Sequence, residues 1–171
     1  MTDEDDLYVP ASDFLNLLRL EEITLEETPF GNANLVQLIR LTRDDDASNR
    51  DWAVFLSSES ERDEESVRGA LRTALNDSNE DVRAEALVGL AKRVPAEAEP
   101  IVREGLAGEW VSQHIVEAAS YVAAPTLLPM LRELDRVELF NPSDGLFRLY
   151  LNEAIASCTS SVQPTWRPPW E

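Results

Sequence analysis

"NDSNEDVRAEALVGLAKR", residues 76–93, decides the fold. It passes from an acidic turn through Val82 and Arg83 into small apolar residues and ends on Lys92 and Arg93. At about 100° per residue, Val82, Ala86, Gly89 and Leu90 share one helical face, and Asp81, Ala84, Val88 and Lys92 fall opposite. Small residues on the apolar face let another helix come close. A strip this narrow cannot bury itself alone, so neighbouring helices of similar build must complete the core.

The pattern recurs along the chain. In "NRDWAVFLSSES", 49–60, Arg50 and Ala53 stand 33 residues before Arg83 and Ala86 (83 − 50 and 86 − 53). In "VSQHIVEAASYVA", 111–123, Ala118 and Val122 stand 32 residues after Ala86 and Leu90 (118 − 86 and 122 − 90). Each segment follows another apolar stretch at helical spacing, "NLVQLIRLT", "SVRGALRTAL" and "PIVREGLAG". A fixed period of this length marks a repeat whose unit is a pair of helices. Asp46, Asn79 and Ser112 precede the second helices where a side-chain oxygen accepts from first-turn N–H groups. Sustained polar–apolar alternation does not occur, so the fold class is all-α. The spacing predicts helices near 12–22, 33–43, 47–59, 63–75, 79–92, 96–107, 111–123, 125–135 and 144–158.

The residues Asp77, Val82, Arg83, Ala86 and Leu90 resemble a HEAT-like repeat of the kind shared with the phycobilin-lyase group. That pattern is an Asp-containing turn, then Val-Arg, then Ala and Leu four residues apart. It is fair at 45–57, where Asn49 replaces Val and Ser57 replaces Leu, and weak at 109–123, where the Arg is missing. The resemblance implies a short α-solenoid of about three to four antiparallel helix pairs. It also implies that the turn Asp and helix Arg hold the stack together, which assigns Arg83 a bond to a carboxylate such as Asp77. The expected organisation is one domain over 1–171. It comprises an acidic N-terminal segment and cap helix (1–32), the repeats (33–135), a C-terminal cap helix (136–158) and a Pro/Trp tail (159–171).

Composition narrows the function classes. The 171 residues carry 33 Asp and Glu against 15 Lys and Arg, a formal net charge of −18. Such a field repels phosphate backbones and anionic membranes, so neither nucleic acid nor a membrane is an expected partner. HEAT-like DNA glycosylases, with their basic concave face, are a poor fit for the same reason. The N-terminus lacks the basic and apolar regions of a secretory signal, and no apolar run reaches the ~18 residues of a membrane span. With a single cysteine, Cys158, these features predict a cytoplasmic protein.

No catalytic, cofactor or metal site is expected. His114 and Cys158 are the sole residues of their types and cannot build a zinc cluster. Cys158 reads as a small buried residue, and His114 as a surface residue at a helix start. "RDDDASNRD" has neither the Gly nor the terminal Glu of a calcium loop. Gly-rich phosphate loops and nucleophile elbows are absent.

Surface is what remains. The second helices of a HEAT-like stack line its concave side. Their outward positions would be Asp51, Phe55, Ser58 and Glu59, then Ala84, Val88 and Lys92, then Gln113, Glu117 and Ser120. From these, Asp51, Phe55, Glu59, Val88, Lys92, Gln113 and Glu117 are the candidate partner contacts, with Phe55 and Val88 as apolar anchors among carboxylates. The expected function is a non-enzymatic protein–protein interaction module whose partner has a basic surface. Two alternatives are an immunity or inhibitor protein neutralising a basic toxin or nuclease, and a lyase-like enzyme implied by the resemblance alone. The tail "VQPTWRPPWE" reads as a lid carrying Trp166 and Trp170, with a docking peptide as the other option.

Overall fold

The computed structural model describes residues 8–136 and 145–165. Every regular element among them is helical, in agreement with the sequence. Asp3 and Glu4 of the acidic N-terminus and Trp166, Pro168, Pro169 and Trp170 of the tail lie outside the described residues. The chain divides into two units, one up to Arg83 and one from Ala84.

The first unit holds α1 (Asp13–Arg19), α2 (Pro29–Leu41), α3 (Ala47–Glu59), α4 (Glu65–Ala74) and the start of α5 (Glu80–Arg93). Helix α3 packs against α1, α2 and α4, and α2 also meets α4. Leu15, Leu38, Ala53, Val54, Val67 and Leu71 are fully buried there. Helix α2 begins four residues before the expected 33 (33 − 29), because Thr28 caps it, accepting from the Gly31 amide at 3.0 Å, and Pro29 occupies its first position. Gly31 is required at this entry, since a Cβ would stand 1.9 Å from the Glu26 carbonyl oxygen. Helix α1 closes in a Schellman turn. The Glu22 amide donates to the Leu17 carbonyl at 2.9 Å and the Glu21 amide to that of Leu18 at 3.0 Å, with Glu21 left-handed at φ 57°.

The second unit takes the rest of α5, α6 (Pro95–Leu106), α7 (Gln113–Val122), α8 (Leu128–Arg136) and α9 (Gly145–Ser160), with a 3-10 turn at Pro125–Leu127 leading into α8. Helix α7 packs on α6 and α9, and α8 packs on α9. The approach of α6 to α7 runs over Gly105, where a Cβ would meet the Ile115 side chain at 2.5 Å. Cys158 is buried as expected, its thiol 3.6 Å from the Ala119 carbonyl, and burial pushes that thiol up to about 11. Beyond α9 the chain turns back, and the Gln163 side-chain amide donates to the Tyr121 carbonyl at 2.6 Å.

The 32- to 33-residue spacing has a counterpart in the burial of both units. Ala53, Ala86 and Ala118 are all completely buried. Asp46, Asn79 and Ser112 each cap the helix that follows, the last through its hydroxyl accepting from the Ile115 amide at 3.4 Å.

Candidate protein-docking surface

Within the first unit, two acidic turns are drawn together by one guanidinium. Asp46 caps α3 by accepting from the Ser48 and Asn49 amides at 2.8 and 3.2 Å. Asn79 caps α5 by accepting from the Asp81 and Val82 amides at 2.8 and 3.3 Å. Arg50, in the first turn of α3, spans the two. Its Nε and Nη2 donate to the Asp77 carboxylate at 2.8 and 3.0 Å, and its Nη1 donates to the Asp44 and Asp45 carbonyls at 3.0 and 3.1 Å. Their side chains are 15% and 12% exposed, so this is a partly desolvated bidentate pair. Arg50 holds the Asp77 carboxyl below its ordinary range, against the opposing effect of burial. Hydrogen bonds, first from the Ser48 hydroxyl and then from the Asn49 and Ser48 amides, likewise lower the Asp46 carboxyl.

The expected role of Arg83 is therefore corrected. Its Nη1 donates to the Asp77 and Ser78 backbone carbonyls at 2.7 and 3.0 Å. The Asp77 carboxylate instead accepts from the arginine of α3, since Arg50 reaches forward to the turn before α5. With Arg50 bound in this way, Asp45, Asp46, Glu80 and Asp81 face solvent.

Beside this edge lies an aromatic cluster. Tyr8 stacks on Trp52 with ring centroids 6.2 Å apart and planes 22° apart, while 58% of Tyr8 remains exposed. Phe55 meets Trp52 edge-on at 5.6 Å, and the Arg19 guanidinium lies 5.6 Å from the Trp52 ring centroid. The Tyr8 hydroxyl is pushed up to about 12, first by burial and then by the charge and hydrogen bond of Asp51 and the charges of Asp81 and Asp46. Tyr8 and Trp52 were not among the candidates from sequence. The available signal was the i, i+3 pair Trp52 and Phe55, beginning six residues past the capping Asp46 (52 − 46).

The predicted contact set divides. Val88 is 1% exposed and Glu59 8%, so neither is the surface contact expected of it, and Ser58 and Ser120 are buried as well. For α3 the reason is that three helices surround it. For α5, residues 86–91 form an unbroken buried run, "ALVGLA", with no open face. Phe55 is half-buried within the aromatic cluster rather than standing out as an anchor. Asp51, Lys92, Gln113 and Glu117 are half-buried, and Lys92 lies 5.1 Å from the Tyr121 ring centroid. His114 is also half-buried rather than a free surface group, its Nε2 3.4 Å from a Glu85 carboxylate oxygen. Trp110, just before α7, is 92% exposed. No helix among the described residues is long and apolar enough to cross a membrane.

These features define an all-helical chain with acidic turns and an aromatic cluster whose outer ring, Tyr8, is exposed. No family model matches it. It is similar to Protein YibA of Escherichia coli K12 and of Escherichia coli O157:H7, in each case 33% identical over 99 residues, 58% of this chain and 35% of the relative. The chain thus spans about a third of the length of these curated relatives. The X-ray structure of Escherichia coli YibA matches with a TM-score of 0.59 and 24% identity, over 81% of this chain and 54% of that one, a likeness of fold.

Proposed function

We propose that this chain is a HEAT-like repeat protein, built as a short α-solenoid, that serves as a non-enzymatic module binding a protein of basic surface. The observation that carries the reading is the pair of acidic turns tied together by Arg50, which leaves Asp45, Asp46, Glu80 and Asp81 in solvent on a chain of net charge −18. Fixed carboxylates of one sign steer a cationic partner and set its register. The period of 32 to 33 residues, the three capped second helices and the buried alanines support the repeat assignment. The same acidity favours a narrower reading, in which the partner is a basic toxin or nuclease that the chain neutralises.

Affinity capture from the native host tests the module, with proteins eluted by a salt gradient and identified by mass spectrometry. The expected outcome is a discrete basic protein whose association rate falls steeply above ~0.1 M salt, where the Debye length is ~10 Å, while its dissociation rate changes little. Retention of proteins with the charge distribution of the whole lysate, or an association rate indifferent to salt, refutes it. Adding the chain to an activity assay of the captured protein tests the narrower reading, which fails if that activity is unchanged.

A further inference from the structure

The aromatic cluster gives the basic partner a particular side chain. Tyr8 keeps 58% of its surface in water although it is stacked on Trp52, so its ring is held in place yet still accessible. Asp46 and Asp81 are exposed, Asp51 is half-buried, and all three charges act on the Tyr8 hydroxyl. A fixed ring face with an anionic rim suits a guanidinium better than an ammonium. The guanidinium is planar, weakly hydrated and able to stack while its N–H fork reaches carboxylates, whereas a compact ammonium supplies charge without the stacking. The first unit already uses the same chemistry internally, where the Arg19 guanidinium lies over Trp52.

We infer that Tyr8, on the edge that carries Asp46, Asp51 and Asp81, is the docking point for an arginine side chain of the protein partner. This rests on the reading of a basic partner. The site lies wholly within the first unit, on the edge formed by the two acidic turns. It replaces the second-helix face, where Val88 and Glu59 are buried, as the place of contact.

The test uses the full chain and a defined probe, the acetylated and amidated peptide Arg-Gly-Arg-Gly-Arg-Gly-Arg, with its lysine counterpart, titrated by calorimetry at 0.1 M salt. The arginine peptide is expected to bind about threefold or more tighter than the lysine peptide. Tyr8→Ala and the double variant Asp46→Asn, Asp81→Asn should each weaken it about tenfold, and Tyr8→Phe, which keeps the ring, less than about twofold. Asn retains the capping oxygen at position 46, so the double variant tests charge with the helix start intact. The comparison variant is Glu104→Gln, Glu153→Gln, which removes the same charge from two exposed positions in the second unit. Equal weakening by the two double variants, or equal affinity for arginine and lysine peptides, overturns the Tyr8 site and leaves the basic-partner reading standing. If neither peptide binds the unaltered chain, both are refuted.

Discussion

Replacing Arg50 by Ala removes one side chain and four hydrogen bonds, two to the Asp77 carboxylate and two to the Asp44 and Asp45 carbonyls. Asp77 keeps the Asn79 amide at 2.9 Å but loses its counter-charge while only 12% exposed. A hydrogen bond to a charged group is worth about 1.5–3 kcal/mol, and losing one partner of a buried pair costs about 3–5 kcal/mol. Solvent reaches both groups here, and bonds within one fork do not add, which places Arg50→Ala at about 2–3 kcal/mol. For a chain of this size that corresponds to a fall in Tm of roughly 5–10 °C. Urea unfolding followed by circular dichroism reads it as a lower midpoint at unchanged slope. Arg50→Lys should recover less than half, since an ammonium cannot fill both arms of the fork. The sign with pH follows from Asp77, whose carboxyl Arg50 holds below its ordinary value. A depressed folded-state value stabilises above the unfolded value, ~3.9, and that stability is lost as pH falls through the folded one. The gap between the native chain and Arg50→Ala should therefore be full at pH 7 and close progressively below about pH 4. An unchanged midpoint at pH 7, or a gap that widens on acidification, refutes the reasoning.

Glu21 sits left-handed in the Schellman turn after α1, where Gly carries no Cβ penalty, so Glu21→Gly should raise stability by about 0.5–1 kcal/mol. A lower melting temperature for that variant would show that the Glu21 side chain has a role outweighing its backbone strain. The Cys158 thiol is buried and raised to about 11, so a thiol reagent at pH 8 should react at the rate of unfolding and speed up sharply in urea. Immediate modification of the folded chain would contradict that burial.

Local features were legible in the sequence. The caps at Asp46, Asn79 and Ser112 and the inward alanines follow from spacing within one helix, and the structure contains them where spacing puts them. The start of α2 was also written locally, in Thr28 and Pro29, and missing it placed that boundary four residues late (33 − 29). Arg50 and Arg83 occupy equivalent positions in the repeat, but a wheel describes one helix and does not show that Arg50 reaches a carboxylate 27 residues ahead (77 − 50). The wheel also presumes one buried stripe. That assumption fails for α3, enclosed on three sides, and for Val88 within the continuous apolar run 86–91, whose composition already signalled burial all round. Tyr8 joins Trp52 from a segment 44 residues away (52 − 8), a juxtaposition that periodicity does not encode.

The forward reach of Arg50 also bears on how such a chain can change length. A block from Ala47 to Asn79 contains 33 residues (79 − 47 + 1) and carries its own cap-following helix, the guanidinium, its acceptor and the cap of the next helix. Duplicating that block in tandem gives each new arginine an aspartate at the same distance ahead, so the copy arrives with its fastener included. An insertion of any other size between Arg50 and Asp77 has to loop out or part the pair. A change in length by whole 33-residue blocks would therefore keep the pair and a change by a fraction of one would part it, as in a chain whose links are added or removed only at the clasp.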